Sequence, residues 1–242
     1  MALKRAHPDI EIRGFDADPS ALDGALGRGA ITHRADDIVA AVTGAEVVVV
    51  AVPVDRAPDV MARVADRVPA DAVVTDVGSA KAMVVKHGRE LFGDRFVGGH
   101  PMAGSERHGI EAAEADLYDG VWWIVTPTTE TSAAAYTVVT EMVTAVGAKP
   151  VALEPEMHDA LVARLSHLPQ LVASALVDVA AASGDKEALL GLAGPGFRDV
   201  TRIAASNPDL WVAIVRANQG AVLDAIGGLR SRLAEVESDI AG

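Results

Sequence analysis

Short apolar runs alternate with helical patterns through the first half of this sequence, and this alternation constrains the fold more than any other feature. Residues 47–52 form an apolar run of mostly valine, which is typical of a strand buried on both faces of a sheet. Strands that alternate with helices indicate βαβ units and a mainly parallel sheet. The strand candidates are residues 11–15, 47–52, 72–75, 95–97, 121–125 and 149–153. Helical patterns cover residues 20–28, 36–42, 56–67, 79–92 and 132–146.

The pattern changes after residue 153, where strand signals almost disappear. A long helical stretch covers residues 157–182, and Pro169 predicts a break or kink in it because proline removes a helical hydrogen bond. We therefore expect an α/β domain over residues 1–153 and an all-helical domain over residues 154–242. The second domain is rich in Ala, Val and Leu, which predicts a dimer interface. Its further helices are predicted over residues 186–192, 198–205, 208–216 and 217–238.

Composition and charge argue against several classes of function. The 242 residues carry a net charge of −13 without a run of Lys or Arg, which disfavours nucleic acid and anionic membranes as partners. The absence of cysteine excludes disulfides, thiolate catalysis and cysteine-based metal sites. The histidines form no metal-binding pattern, no run of about 18 apolar residues is present, and no signal peptide is recognisable. We therefore expect a cytoplasmic protein without a bound metal.

An acidic residue follows the first predicted strand. In a doubly wound, Rossmann-type dinucleotide fold, an acid after the second strand hydrogen-bonds the adenosine ribose, about 20 residues beyond a glycine-rich turn. Asp16 occupies such a place, although it could instead be a turn or cap residue, with Asp18 as the competing acid. An acid there favours NAD over NADP because it would repel a 2′-phosphate. Arg13 lies within the strand and is poorly placed to clamp such a phosphate.

Counting back from Asp16 to the glycine-rich turn passes the first residue of the sequence. Residues 1–7 would then end the first helix of the fold, and its first strand and Gly-x-Gly-x-x-Gly loop would be missing. That loop supplies the N–H groups that hold the pyrophosphate, and loss of its central strand would expose two inner edges. We expect residues 1–242 to bind NAD poorly. A chain with about 20–30 further N-terminal residues should bind it well.

The segment GGHPMAGSE, residues 98–106, contains the most distinctive titratable side chain. Its glycines permit unusual backbone conformations and close approach of a ligand, and Pro101 favours an extended His100. A histidine held at a strand end can accept a proton near neutral pH. The alternative interpretation is a Gly/Pro turn that carries a solvated histidine.

Two further motifs combine polar side chains with helix signals. In DVGSAK, Ser79 is predicted to begin a helix, and its hydroxyl either caps that helix or points into the ligand crevice beyond the strand ends. In SHLP, His167 lies beside the proline that bends the helix. The alternative to a functional His167 is a kink that contains a hydrogen-bonded histidine.

Two arginines occur in GFRDVTR, residues 196–202. Arg202 follows Arg198 by four positions, which places both on one face of the predicted helix. Guanidinium groups bind carboxylates through paired hydrogen bonds, and a protein of net charge −13 would need such a cation for an anionic substrate. The alternative is a surface pair in which Asp199 is a capping acid.

Together these motifs resemble the prephenate/arogenate dehydrogenase family of tyrosine biosynthesis. The matching segments, in chain order, are GFDADP, VAVPV, DVGSAK, GGHPMAGSE, SHLP and GFRDVTRIA followed by PDLW. The resemblance implies a Rossmann-type domain with a helical dimerisation domain, NAD as cofactor, and a homodimer. It also implies oxidative decarboxylation of prephenate to 4-hydroxyphenylpyruvate, with arogenate as the alternative substrate.

The resemblance also implies roles for individual residues. His100 is similar to the family's catalytic histidine, which faces the ring hydroxyl, and Ser79 is similar to the serine that positions this hydroxyl and the nicotinamide. Arg202 is similar to the arginine that binds a substrate carboxylate. The substrate side further includes His167, Glu106 and Gln170. The cofactor side comprises Asp16, Val52, Pro53 and Ser79.

Other functions are also compatible with parts of the sequence. Gln170 stands where some relatives carry a second histidine, and its neutral amide offers no carboxylate for the ammonium group of arogenate, which favours prephenate. Another dehydrogenase with a Rossmann-type and a helical domain, such as an imine reductase or a hydroxyacid dehydrogenase, is disfavoured by GGHPMAGSE. Outside enzymes, the alternative is a non-catalytic helical dimer that has lost nucleotide binding, which the missing glycine-rich loop supports.

Overall fold

The computed structural model describes residues 1–104, 109–182 and 191–242. The chain divides into two units, Met1–His158 and Asp159–Gly242. The helix predicted over residues 186–192 lies almost entirely outside the described residues.

The described residues of the first unit include seven strands in two sheets. β1 and β2 pair in parallel, and β3 to β7 form a five-stranded sheet in chain order, in which only β5 and β6 are antiparallel. The predicted α/β class with a mainly parallel sheet is therefore confirmed, whereas β2 and the reversed direction of β6 were not predicted. The strands are β1 (Arg13–Gly14), β2 (His33–Arg34), β3 (Val47–Val50), β4 (Val73–Asp76), β5 (Phe96–Pro101), β6 (Trp122–Thr126) and β7 (Lys149–Ala152).

The sheet is interrupted between β1 and β3. Within the described residues, β1 pairs only with β2, and β3 pairs only with β4. In the doubly wound order 3-2-1-4-5-6, β2 and β1 correspond to strands 3 and 2, and β3 corresponds to strand 4. Within the described residues, no strand lies between β1 and β3 at the place of the first strand of that order. Val49 in β3 is 41% exposed, although an all-valine strand of this fold is normally covered on both faces.

Three helices of the first unit begin at side-chain caps. Asp18 caps α2, Asp37 caps α3 and Ser132 caps α6 through side-chain oxygens that accept backbone N–H groups. The apolar face of α6 packs with Val97 and Val125 of the sheet in one buried cluster. The helices are α1 (Ala2–Ala6), α2 (Pro19–Gly27), α3 (Ile38–Val42), α4 (Ala57–Val64), α5 (Ala82–Phe92), α6 (Ala133–Ala145) and α7 (Pro155–Val162), the last of which contains the boundary between the units.

The described residues of the second unit are helical and contain no strand. The helix is irregular near Pro169, as predicted: a π-helical turn over Ala163–His167 leads directly into α8, whose second residue is Pro169. The helices are α8 (Leu168–Ala181), α9 (Pro195–Thr201), α10 (Pro208–Ala217) and α11 (Gln219–Ala241), with a 3-10 helix over Arg202–Ala205.

One helical range of the described chain, Pro155–Ala181, is long and apolar enough to cross a membrane by length and composition alone. This is weak evidence, because the core helix of a soluble protein meets the same criteria. The range contains four buried polar side chains, which a helix surrounded by lipid would have to desolvate. They are His158, Asp159, His167 and Gln170.

Candidate functional site

A buried ion pair lies at the carboxyl end of β4. The side chains of Asp76, the last residue of β4, and Lys81 pair with each other and are 1% and 0% exposed. Asp76 Oδ2 accepts a hydrogen bond from Gly78 N at 2.8 Å, and Oδ1 accepts one from Gly99 N at 3.2 Å. Lys81 Nζ donates to Gly99 O at 2.9 Å. The ion pair thus holds both backbone polar groups of Gly99, the residue before His100.

Close packing explains the two glycines of β5. A Cβ on Gly98 would lie 2.3 Å from Thr126 Oγ1, and a Cβ on Gly99 would lie 2.8 Å from the carbonyl oxygen of Asp76. Neither glycine has a positive φ, and β5 continues to Pro101. The segment is therefore a strand and not a Gly/Pro turn. Its glycines permit close approach of neighbouring protein atoms rather than the unusual backbone predicted from the sequence.

Ser79 lies in the connection between β4 and α5. It is not the helix cap of the alternative interpretation, because α5 begins at Ala82 and Lys81 occupies the N-cap position. Ser79 is half-buried, and the hydrogen bond from Gly78 to Asp76 fixes the turn directly before it. The parallel strands β4 and β5 end at the same edge of the sheet, which is where ligands of doubly wound proteins bind.

His100 is half-buried near the end of β5 and contacts a second histidine. Its Nδ1 lies 2.8 Å from Nε2 of His158, and the two rings meet edge to face at an angle of 68° with centroids 5.0 Å apart. His158 belongs to α7 and is 0% exposed. His100 is therefore not the solvated side chain of the alternative interpretation. Its ring is held through Nδ1, and Nε2 lies on the opposite edge of the ring.

Two acids after β1 have different roles. Asp18 caps α2, because its Oδ1 accepts hydrogen bonds from Ser20 Oγ at 2.7 Å and Ser20 N at 2.9 Å. The bond from the Ser20 hydroxyl, followed by the bond from the Ser20 backbone, lowers the pKa of the Asp18 carboxyl. Asp16 is exposed, and its Oδ1 accepts a hydrogen bond from Asp18 N at 2.9 Å. The capping role thus belongs to Asp18, and the second oxygen of Asp16 remains available for a ligand.

The two other predicted cofactor residues lie in the loop after β3. Val52 is half-buried and Pro53 is exposed. The carbonyl oxygen of Pro53 accepts a hydrogen bond from Arg56 N at 2.8 Å, directly before α4 begins. Because β3 and β4 are parallel, this loop leaves the same sheet edge as the loop that carries Ser79.

A polar cluster in the second unit determines which ring nitrogen of His167 accepts a hydrogen bond. His167 is 1% exposed. The carbonyl oxygen of Asp159 can only accept, so the side-chain atom of Asn218 that lies 2.8 Å from it is the amide nitrogen. The same nitrogen lies 3.2 Å from His167 Nδ1, which therefore accepts. Neutral His167 consequently carries its proton on Nε2. The ring of Trp211 meets the His167 ring edge to face at 6.0 Å.

Gln170 is 4% exposed and lines a cleft of about 370 Å³ within the second unit. Trp211 lines the same cleft and contacts His167. His167 and Gln170 are thus linked through Trp211, which contacts the ring of the first and lines the same cleft as the second. Another cleft of about 720 Å³ lies along α5 in the first unit, and none of the predicted site residues lines it.

Arg198 and Arg202 fall in different helical segments. α9 ends at Thr201, and Arg202 begins the 3-10 helix that ends at Ala205. The helix predicted over residues 198–205 is therefore divided between α9 and the 3-10 helix, and the two arginines lie in adjacent segments. Both arginine residues are exposed.

Glu106 lies outside the described residues. Among the described histidines and acids, no three residues are grouped so that they could hold a metal ion.

Sequence reasoning missed four buried polar residues of these clusters. Asp76 and Lys81 stand at the two ends of DVGSAK, and an acid directly after an apolar strand was the signal that could have identified them. His158 and Asn218 left no such signal, because their histidine partners are 58 and 51 residues away in the sequence.

These features define a nucleotide-binding α/β unit of the doubly wound type, followed by a helical unit. Residues 1–152 match the prephenate dehydrogenase nucleotide-binding domain, and residues 154–241 match the prephenate dehydrogenase dimerization domain. The chain belongs to the prephenate dehydrogenase family, as its motifs predict.

Individual relatives extend this similarity over nearly the whole chain. Prephenate dehydrogenase of Bacillus subtilis (strain 168) is 35% identical over 228 residues, which cover 93% of this chain but 62% of that protein. The chain thus spans less than two thirds of the length of this relative. Prephenate dehydrogenase from A. aeolicus, in complex with hydroxyphenyl propionate and NAD+, superposes with a TM-score of 0.93 at 33% identity, covering 99% of this chain and 85% of that one. Synechocystis arogenate dehydrogenase superposes with a TM-score of 0.84 at 28% identity, covering 99% and 86%.

Proposed function

We propose that this protein oxidises prephenate to 4-hydroxyphenylpyruvate and CO2 in tyrosine biosynthesis, with hydride transfer to NAD. The observation that carries the proposal is the environment of His100. Its ring is held by His158 through Nδ1, and the preceding residue is held by the Asp76–Lys81 pair. An imidazole fixed at the ligand edge of a doubly wound sheet is suited to accept a proton near neutral pH.

The proposed reaction uses His100 first as a base and then as an acid. Its Nε2 accepts the proton of the ring hydroxyl as the hydrogen on the same carbon leaves as hydride. NAD, when bound, supplies the hydride acceptor. The bond between the ring and its carboxylate then breaks, the electron pair enters the ring, and CO2 leaves as the ring becomes aromatic. The ring oxygen takes the proton back, so that His100 ends the cycle neutral.

Other side chains are proposed to orient the substrate. Ser79 holds the ring hydroxyl beside the nicotinamide, and Arg202 binds a carboxylate of the dianionic substrate. A local cation is needed because the net charge of −13 otherwise repels an anion. His167 can donate from Nε2, because Asn218 donates to its Nδ1. The remaining proposed substrate residues are Glu106 and Gln170.

Three residues at the sheet edge are proposed to contact NAD. The exposed carboxylate of Asp16 suits the ribose hydroxyls of NAD and would repel the 2′-phosphate of NADP. Val52 and Pro53 leave the same edge after β3. The pyrophosphate of a dinucleotide lies against the glycine-rich turn after the first strand, which is the place left unfilled between β1 and β3. The described residues therefore suit the ribose end of the cofactor better than its pyrophosphate.

Two alternatives have specific support. The similarity to Synechocystis arogenate dehydrogenase supports arogenate as substrate. Against it, the buried Gln170 has a neutral amide and cannot form an ion pair with the ammonium group of arogenate. The absence of pairing between β1 and β3 within the described residues is compatible with a non-catalytic helical dimer.

The homodimer and its location are also part of the proposal. Helices of the second unit expose large apolar side chains, which a second copy of this chain would cover. Three of the most exposed are Val179 at 73%, Leu223 at 58% and Ile240 at 81%. We propose a cytoplasmic homodimer formed through the helical domain, with neither nucleic acid nor membrane as partner. Light scattering at micromolar concentration tests the dimer, and a monomer mass would contradict it.

The test of the activity is a spectrophotometric assay of NADH with prephenate or arogenate as substrate. It compares residues 1–242 with an extended chain, in which a strand and a Gly-x-Gly-x-x-Gly turn precede these residues. We expect the extended chain to turn over prephenate with the higher kcat/KM. Preference for arogenate would replace the proposed substrate. Inactivity of both forms with both substrates would support the non-catalytic dimer.

Substitution of Arg202 tests the proposed contact with the substrate carboxylate. A contact made equally in the ground and transition states contributes to KM rather than to kcat. Loss of a charge-assisted hydrogen bond costs about 1.5–3 kcal/mol, so Arg202→Gln should raise KM for prephenate about 10- to 150-fold. Arg198→Gln is the matched control and should change KM little. The reverse result would assign the substrate carboxylate to Arg198.

A further inference from the structure

We infer that His158 is a positioning residue for His100, fixing the protonation of the ring that the proposed function uses as its base. The inference deepens that function and rests on it for its catalytic consequence. Its structural content, the hydrogen bond between the two rings, can be tested without substrate. His158 is fully buried in α7, 58 positions from His100, and has no counterpart among the motifs of the sequence.

The contact between the rings accommodates one proton. His100 Nδ1 and His158 Nε2 are 2.8 Å apart, which is a hydrogen-bond distance, so one nitrogen donates and the other accepts. Protons on both nitrogens would place two N–H groups face to face. Lone pairs on both would leave the contact without a hydrogen. The tautomers of the two histidines are therefore coupled.

The role of a base selects one of the two arrangements. His100 can accept the substrate proton on Nε2 only if Nε2 is unprotonated, and its ring proton must then lie on Nδ1. Nδ1–H donates to His158 Nε2, and neutral His158 carries its own proton on its Nδ1. When His100 has accepted the second proton, Nδ1–H still donates to the same acceptor. In serine hydrolase triads a carboxylate orients the histidine in this way, and here an imidazole would do so.

The acceptor is held rigidly, as this role requires. His158 has an exposed fraction of 0%, and its backbone nitrogen donates to Glu154 O at 2.9 Å at the start of α7. On the other side, the Asp76–Lys81 pair holds the backbone of Gly99, directly before His100. The backbone directly before His100 and the Nδ1 atom of its ring are thus both held. Together these contacts restrict the direction in which Nε2 points.

The first test is the tautomer of His100 in residues 1–242, read from nitrogen-15 chemical shifts of labelled histidine at a pH where the rings are neutral. Loss of its signals in His100→Gln assigns the resonances. We expect His100 with its proton on Nδ1 and His158 with its proton on Nδ1. A proton on Nε2 of His100 would overturn the inference whatever the activity of the protein.

The second test compares two substitutions of similar size. In His158→Gln, the side-chain carbonyl can accept from His100 Nδ1–H, whereas His158→Met offers only a weakly accepting sulfur. We expect Gln to retain the His100 tautomer and most of kcat. Met should leave His100 a mixture of tautomers and lower kcat at least about tenfold, a part of what a positioned base contributes. If His158 had only a structural role, Gln and Met variants of equal thermal stability would have the same kcat and the same His100 tautomers.

The outcomes separate this inference from the function on which it rests. Equal tautomer populations and equal kcat in Gln and Met variants would overturn the positioning role. The expected tautomers in a protein that turns over neither prephenate nor arogenate would leave the positioning contact established and the proposed function refuted. If neither variant folds, the nitrogen-15 spectrum of the wild-type protein still decides the direction of the hydrogen bond.

Discussion

The carboxyl ends of β4 and β5 and those of β1 and β3 belong to the same edge of a doubly wound sheet, but this chain builds them differently. At β4 and β5, the ion pair of Asp76 and Lys81 is fully buried and joins the two strand ends. At β1 and β3, the strands do not pair within the described residues, and Asp16 is exposed. The proposed proton-transfer half of the site is thus organised by internal contacts, and the nucleotide half is not.

The difference follows from the cost of burying polar groups. Charges removed from water must be paired and hydrogen-bonded, so their geometry is restricted by several partners at once. An exposed carboxylate such as Asp16 is satisfied by water and can exchange that water for a ligand. We therefore propose that the proton transfer uses preorganised side chains, whereas the proposed nucleotide contacts use groups left accessible. The following predictions test whether these two halves can be separated.

The largest expected effect is on the chemical step. His100→Asn removes the group that accepts the proton, and a positioned base typically contributes about 10²–10⁴ in rate. We expect kcat to fall by that factor while the affinity for NAD changes little, because His100 is proposed to contact the substrate hydroxyl rather than NAD. Steady-state kinetics and calorimetry on the extended chain measure both quantities. A near-normal kcat would remove His100 from the chemistry, and a parallel loss of NAD affinity would break the separation.

The next effect concerns the stability of the buried pair. Lys81→Met leaves the Asp76 carboxylate buried beside an apolar side chain, which should lower the free energy of unfolding by about 3–5 kcal/mol. Urea unfolding followed by circular dichroism measures it. The matched control is Arg34→Met, which removes an exposed pair with Asp23 near β1 and should cost less than about 1 kcal/mol. Equal losses in the two variants would contradict the comparison.

Much of the fold was predictable because the spacing of apolar residues along the sequence reflects which side chains are buried. The valine run of β3 and the apolar face of α6 are visible in the sequence, as is the change to helices alone. The strand β2 was not predictable, because it consists of His33 and Arg34, both exposed. The antiparallel direction of β6 also leaves no periodic signal, because alternation is the same in both directions.

The proposed site was predictable to the extent that its residues lie in short sequence motifs. His100 and Ser79 stand in motifs whose Gly, Pro and Ser residues mark strand ends. The partners that hold them depend on contacts across the fold, as between His100 and His158 or between Lys81 and Gly99. Hydrogen bonds between residues so far apart in sequence are a consequence of tertiary packing. Local reasoning therefore identifies candidate reactive groups more readily than the groups that contact them.

A smaller effect tests the accessible half through the charge of Asp16. Asp16→Asn keeps an oxygen that can accept from Asp18 N, so the turn should be preserved while the charge is lost. A hydrogen bond to a charged acceptor is stronger than one to a neutral acceptor by about 1–1.5 kcal/mol, so KM for NAD should rise about five- to tenfold. KM for NADP should fall because the repulsion is removed. Unchanged values for both cofactors would remove Asp16 from the nucleotide site.

The smallest effect separates the two acids after β1 by their influence on stability. Asp18→Ala removes the cap of α2 and should lower the Tm by about 2–4 °C at neutral pH. Asp16→Asn should leave the Tm unchanged, because it makes no cap. Differential scanning calorimetry at several pH values compares both variants with the wild type. A larger loss of Tm in Asp16→Asn would exchange the roles assigned to the two acids.

The pH dependence of the Asp18 effect has a definite sign. Hydrogen bonds from the Ser20 hydroxyl and backbone lower the pKa of the Asp18 carboxyl in the folded protein. A carboxylate with a lowered pKa stabilises the fold above its unfolded value of about 3.9, and this stabilisation is lost as the pH falls through the folded pKa. The Tm difference between wild type and Asp18→Ala should therefore be full at neutral pH and shrink below about pH 4. A difference that persists undiminished in acid would mean that the Asp18 charge contributes nothing to the cap.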